Sequence, residues 1–287
     1  MGRRASHNRK FSMKIDSHLH FWNYHPIKDA WITDDMAVLK RDFAPDRLLP
    51  LLAAHSIDGG IAVQADQSEA ETRYLVDLAT RYEFVKGIVG WVDLRAPDVG
   101  ERLDYFSQFA LIKGYRHIVQ SEPQDDFLLR ADFCRGIGEL GARGLTYDVL
   151  VYAWQLPTAL QFVRRFPHQR FVLDHIGKPD IRCGQIADWQ RMLAPFAKEE
   201  HVACKIAGLS TEADWHRWGY ADFAPYIDTV LEVFGPDRLL FGSDWPVCLV
   251  GAHYDQTCLI VDEHTATLTA DEKDKLWGLT CKRMYNL

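Results

Sequence analysis

Eight short apolar, β-rich segments recur along this chain, and stretches with helical spacing lie between them. The segments are 14–16, 60–64, 87–93, 112–118, 145–151, 170–173, 202–206 and 239–241. Several are continuous apolar runs rather than alternating ones, the pattern of strands covered on both faces. Between them, residues 70–82 put Tyr74, Leu75, Leu78 and Tyr82 on one helical face. Residues 131–140 do the same with Phe133, Ile137 and Leu140, and 156–166, 220–234 and 271–285 continue the rule. Asp271 reads as the N-cap of the last helix. No composition break or repeat period interrupts the alternation. With 287 residues, 47% of them hydrophobic, the chain is long enough for one large core. The expected fold is a single (β/α)8 TIM barrel of the α/β class over residues 14–287. A doubly wound open sheet uses the same alternation, but no G-x-G-x-x-G follows any strand, which removes its usual nucleotide-binding form.

The net charge of −7 argues against a nucleic-acid partner, which would call for a basic surface. No run approaches the roughly 18 apolar residues of a membrane span. Residues 1–13 are basic and polar. They contain Arg3-Arg4 with no apolar stretch behind it, and they read as a disordered extension outside the fold. None of the six cysteines forms a C-x-x-C pair, so reduced thiols and a cytoplasmic protein are expected.

Polar residues gather directly after the apolar runs, where a barrel keeps its active site. His18 and His20 leave the first strand on the same side by alternation and can hold a metal ion or a substrate oxygen. Taken alone, H-x-H also reads as two polar strand-end residues bonded to nearby backbone. His175 follows the run Phe171-Val172-Leu173, and its neighbour Asp174 points to the opposite face of an ideal strand and reads as structural. Asp244 follows Leu239-Leu240-Phe241-Gly242-Ser243. It is either a helix cap, with Pro246 suited to an early helical position, or the base that takes a proton from water. Of Arg116 and His117, alternation lets only one face the site. Arg116 suits carbonyl polarisation, with a surface ion pair as its plain alternative. Lys205 is a charge inside an apolar run and calls for a partner or a role. Gln64 and Tyr147 are strand-end polar groups able to bind hydroxyls. Trp22, Trp31, Trp154 and Trp245 could stack on a sugar face, although core packing accounts for most tryptophans.

Five segments together resemble one known family. They are Ile15-Asp16-Ser17-His18-Leu19-His20-Phe21-Trp22, Gly114-Tyr115-Arg116-His117, Leu173-Asp174-His175-Ile176-Gly177-Lys178-Pro179, Cys204-Lys205-Ile206-Ala207-Gly208-Leu209 with Thr211-Glu212-Ala213-Asp214-Trp215, and Phe241-Gly242-Ser243-Asp244-Trp245-Pro246-Val247-Cys248. The family is the amidohydrolase superfamily, and the likeness is to its branch of sugar-acid and dicarboxylate lactonases. It runs from about residue 14 to the C-terminus. It implies a barrel that opens aldonolactones, with L-fucono-1,5-lactone foremost and L-galactono- and L-rhamnonolactone open beside it. It aligns His18, His20, His175 and Asp244 with the family's active-site histidines and aspartate, and Arg116 with its carbonyl-facing arginine. Asp244, Arg116 and His175 are therefore the expected catalytic residues. His18 and His20, joined on their own residue chemistry by Gln64, Tyr147, Lys205 and Trp245, are the expected substrate contacts. No carboxylated bridging lysine is evident, so a two-metal centre is not expected. His18, His20, His175 and Asp244 either hold one zinc or other divalent cation or bind lactone and water directly, and no organic cofactor is implied. The expected reaction is direct attack of water, without a covalent serine or cysteine intermediate, in keeping with the lack of a G-x-S-x-G elbow. Two rivals remain at this stage: a metal-dependent decarboxylase of the same superfamily, and a non-catalytic sugar-acid binding protein.

Overall fold

The computed structural model describes residues 13–287, so the basic segment 1–13 lies outside the described residues except for Met13. The strands are β1 (Ile15–Leu19), β2 (Gly59–Val63), β3 (Val85–Gly90), β4 (Ile112–Ile118), β5 (Thr146–Leu150), β6 (Phe171–Leu173), β7 (Val202–Ile206) and β8 (Leu239–Phe241). They pair in sequence order, every neighbour parallel. The circle closes just past β8. There the Asp244 amide donates to the His18 carbonyl at 3.0 Å and the His20 amide to the Trp245 carbonyl at 2.7 Å. The protein is a single (β/α)8 TIM barrel. Its closing hydrogen bonds are also what carry Asp244 to the two histidines of β1.

Helices α1 (Leu49–Ala54), α2 (Glu69–Arg81), α3 (Val99–Phe106), α4 (Ala131–Ala142), α5 (Leu156–Arg164), α6 (Ile186–Leu193), α7 (Ala224–Phe234) and α8 (Tyr254–His264) cover the outside. Ser68 caps α2 by accepting from the Glu71 amide at 3.1 Å. The stretch 220–234 is not one helix. A 3-10 turn over Tyr220–Phe223 precedes α7, because Pro225 lacks the amide that would continue the helix backwards. The C-terminal stretch divides into α9 (Ala270–Asp274), a π turn over Lys275–Leu279, and α10 (Thr280–Tyr285).

Its N-cap is Thr269, not Asp271. Thr269 Oγ1 accepts from the Glu272 amide, and Glu272 Oε2 accepts from the Thr269 amide at 2.7 Å, a capping box that leaves Asp271 inside the first turn.

The barrel interior is filled by Ile15, Ile61, Val63, Val89, Val172, Ala203 and Leu240, and Cys281, Met284 and Tyr285 of α10 plug its N-terminal mouth. A larger apolar layer lies between strands and helices, where each buried large side chain contributes about 1.5–3 kcal/mol. All six cysteines are free thiols. Among the described residues, no helix is long and apolar enough to cross a membrane.

Candidate active site

The C-terminal mouth of the barrel brings three histidines and a carboxylate together. His20 Nδ1 lies 2.8 Å from the Val63 carbonyl. A carbonyl only accepts, so Nδ1 carries a proton and donates it, and Nε2 faces inward. That Nε2 lies 3.4 Å from Asp244 Oδ1 and 3.1 Å from His18 Nε2. His18 and His175 stack at a tilt, with centroids 4.5 Å apart. His175 begins a left-handed run: φ is 52° at His175, 49° at Ile176, 72° at Gly177 and 47° at Lys178. Three of these residues carry a Cβ, at a cost of roughly 1–3 kcal/mol each, so the surroundings hold the run in place. Gly208, at φ 67°, is part of that support, since a Cβ there would lie 2.7 Å from His175 Nδ1.

Asp244 is itself left-handed, at φ 59°. Its carboxylate does not cap the 3-10 turn Val247–Val250 that follows. The backbone carbonyl accepts from the Cys248 amide instead, and the carboxylate turns to His20. Burial raises Asp244, but the imidazoles of His175, His20 and His18 outweigh it and hold the carboxyl well below its usual range. Burial pushes His175 down to about 4 and His18 well below the ordinary imidazole value. At neutral pH the Asp244 carboxylate is therefore ionised, beside His175 and His18 rings whose charge is disfavoured by burial.

Behind this wall lies a buried charge network. Arg116 Nη1 donates to Asp174 Oδ2 at 2.9 Å, and Nη2 donates to the Gln64 carbonyl. Lys205 Nζ lies 2.6 Å from Asp148 Oδ2, 3.0 Å from Asp174 Oδ1 and 3.2 Å from His18 Nδ1. Tyr285 donates to Asp148 at 2.8 Å. Burial opposes charge on both Lys205 and Asp174. The pairing overrides it, raising the ammonium and holding Asp174 well down, whereas burial lifts Asp148 to about 6. The reading of Asp174 as a structural residue on the far face is therefore corrected. β6 ends at Leu173, Asp174 opens the 3-10 turn whose left-handed run begins at His175, and strand alternation no longer decides where residue 174 points.

A cavity of about 180 Å³ opens onto these groups, at the small end for ligand sites. His20, Arg116, His175 and Asp244 line it, together with Trp31, Gln120, Thr211 and Lys178. Lys178 and Thr211 lie in the segments that carry the resemblance but had no site role from the sequence, and Gln120 had no signal there. Ile118, Leu150 and Val247 form an apolar side. His18, Gln64 and Lys205 stand behind the wall rather than on it. Tyr147 does not line the cavity: its ring packs on Phe133, Phe162 and Phe171, and burial raises its hydroxyl strongly. Trp245 packs against Phe21 and Phe43. Trp22 donates to the Arg41 carbonyl, and the exposed Trp154 lies off the cavity. His117 faces away from it, stacked on Phe127 and bonded to Glu122 at 2.6 Å.

Ligand atoms of His18, His20 and Asp244 all lie within 4.8 Å of one another, as do those of His18, Asp174 and His175. His20 turns Nε2 toward the Asp244 carboxylate, and His175 Nδ1 is buried without a hydrogen-bond partner. Both features fit a divalent cation held by nitrogen and oxygen ligands, with the Val63 carbonyl orienting the His20 ring from behind.

Residues 15–287 match the amidohydrolase family profile. The chain is 42% identical to the L-fucono-1,5-lactonase of Burkholderia multivorans, over 96% of this chain and 97% of that protein. It is 35% identical to an L-fucono-1,5-lactonase of Burkholderia ambifaria, over 85% and 83%. Among solved structures, an amidohydrolase from Burkholderia multivorans with bound zinc superposes with a TM-score of 0.92 at 42% identity, covering 96% of this chain and 99% of that one. The barrel, the histidine–aspartate mouth and the matched sequence lead to one conclusion: the chain belongs to the amidohydrolase family.

Proposed function

We propose that this protein is a lactonase that hydrolyses a sugar-acid lactone, with L-fucono-1,5-lactone as its leading substrate. The observation that carries the reading is the ionised Asp244 carboxylate on a small cavity wall it shares with the Arg116 guanidinium. Asp244 removes a proton from a water molecule as that water attacks the lactone carbonyl. The imidazoles that lower its proton affinity also weaken it as a base, and holding the water in line with the carboxylate offsets part of that loss. Arg116, whose Nε–H is buried without a protein partner, donates to the developing oxyanion. One well-placed donor of this kind contributes about 3 kcal/mol. Asp174 and the Gln64 carbonyl fix the plane of the guanidinium. As the tetrahedral intermediate collapses, protonated Asp244 returns its proton to the departing ring oxygen and the aldonate is released. His18, His20, His175 and Asp244 are the residues that would hold a divalent cation, and such an ion would supply Lewis-acid polarisation of the carbonyl or of water. The relatives named as L-fucono-1,5-lactonases support the choice of substrate.

The test is acid release in weak buffer from L-fucono-, L-galactono-, L-rhamnono- and D-sugar lactones, before and after chelation. Fast opening of the L-fucono compound is the expected result. Activity that survives chelation assigns the histidines to lactone and water, whereas loss restored by zinc assigns them to the ion. If no lactone opens with zinc present, the reading is wrong.

A further inference from the structure

We propose that the ion pair between Lys178 and Glu212 is a charge filter on the cavity wall. It admits uncharged polyhydroxylated lactones and rejects lactones that carry a carboxylate there. The inference rests on the lactonase reading and adds the class of substrate to it. Lys178 lines the cavity, and its Nζ lies 3.1 Å from Glu212 Oε1. The two side chains are only 13% and 20% exposed, so water and salt screen the pair weakly. Lys178 takes its place through the left-handed turn that begins at His175, and backbone strain of this kind is a marker of functional placement. Glu212 is anchored separately, because the Arg182 amide donates to its carbonyl at 3.0 Å, tying the loop after β6 to the loop after β7.

The balance of charge on the wall then decides what can bind. Among the residues that line the cavity, the cations Arg116 and Lys178 already have carboxylates, Asp174 and Glu212. The remaining charged side chain on the wall, Asp244, is itself a carboxylate. A substrate carboxylate near Lys178 meets a cation already neutralised by Glu212 and one uncompensated anion, Asp244, so it loses its hydration without gaining a partner. Hydroxyl groups face no such cost. The Lys178 ammonium has donors beyond the one directed at Glu212, and Gln120 Oε1 and Thr211 Oγ1 are buried without protein partners.

The experiment compares two lactones of the same ring configuration. L-galactono-1,4-lactone ends in a primary alcohol, and the corresponding galactaro-1,4-lactone carries a carboxylate at that carbon. The readout is the ratio of kcat/KM for the carboxylated lactone to that for the neutral one. The native protein should favour the neutral lactone by about tenfold or more, the scale of one partly buried charge interaction. Glu212→Gln should raise the ratio about tenfold through KM, since Lys178 is then free to pair with the substrate, and Lys178→Gln should lower it. The double variant Lys178→Gln/Glu212→Gln is neutral again and should return to within about threefold of the native ratio, a recovery that mere structural damage does not produce. A ratio unmoved in Glu212→Gln at native thermal stability, or a double variant that fails to recover, overturns the filter. Failure of the native protein to open either lactone falls on the lactonase reading instead. In that case the two compounds, titrated as ligands by calorimetry, still read the filter from their affinities.

Discussion

Lys205 shows how far a single buried charge in this barrel depends on its neighbours. Its ammonium is fully buried and held by Asp148 and Asp174. Removing it leaves Asp148 without a cation in the core and Asp174 with Arg116 alone. Lys205→Met should therefore cost about 3–5 kcal/mol, measured by urea unfolding, and a loss below about 1 kcal/mol would contradict the network. Arg116→Lys keeps the charge but gives up the planar fork that meets Asp174 and the Gln64 carbonyl together. Steady-state kinetics should show kcat reduced by about 10²–10³-fold with KM changed much less; the reverse split would make Arg116 a binding group only. At this scale the sequence was legible where a charge interrupts an apolar run, as at Lys205, or where alternation applies, as for Arg116 against His117. It was not legible at Asp148, one acid in a strand with nothing nearby in sequence to mark its partner. Gln120 and Thr211 are ordinary loop residues that only the folded chain brings to the cavity.

Elements were easier to read than the turns between them. Strands β4, β7 and β8 run over the residues that their segments mark. β8 is a continuous apolar run, as burial on both faces requires, while β4 and β7 keep the signal despite Lys113, Arg116, His117 and Lys205. β1 extends to Leu19 because its polar residues find strand-like partners, with Ser17 Oγ donating to the Phe241 carbonyl at 2.6 Å. The left-handed turn after β6 has no such signature beyond one glycine, and it decides where Asp174, His175 and Lys178 point. Gly208→Ala tests that turn. The added Cβ collides with His175 at a left-handed position, so a loss of about 2 kcal/mol in thermal unfolding, with lower turnover, is expected. A variant as stable and active as the native chain would show that the turn needs no such support. Thr269→Ala removes the capping hydroxyl of α9 far from the cavity. It should cost about 1 kcal/mol by the same measurement and leave turnover intact, and no loss at all would return the cap to another residue.

The whole molecule carries a pH signature from Glu71, at the start of α2. Burial lifts its carboxyl from 4.5 to about 7, against a hydrogen bond from the Ala65 amide. A carboxyl raised in the folded state costs stability once it must ionise. Glu71 alone should therefore contribute a loss of stability as pH rises from about 4.5 through 7. Glu71→Gln should be more stable than the native chain at pH 8, by on the order of 3 kcal/mol, and the difference should vanish near pH 4. A gap of equal size at both pH values would place the effect elsewhere. Closure of the barrel is the other property of the whole, since hydrogen bonds between β1 and the segment after β8 set Asp244 beside His18 and His20 across more than two hundred residues of chain. The sequence marked the strand ends that meet there, but not the bonds that join them. If that meeting point is the hydrolytic centre, one comparison decides it: acid release from L-fucono-1,5-lactone by the native protein and by Asp244→Asn, under the same metal conditions. The expected outcome is rapid opening by the native protein and a fall in kcat of about 10³-fold in a variant that is still folded. Turnover by Asp244→Asn within a few-fold of native would contradict the assignment of Asp244 as the base.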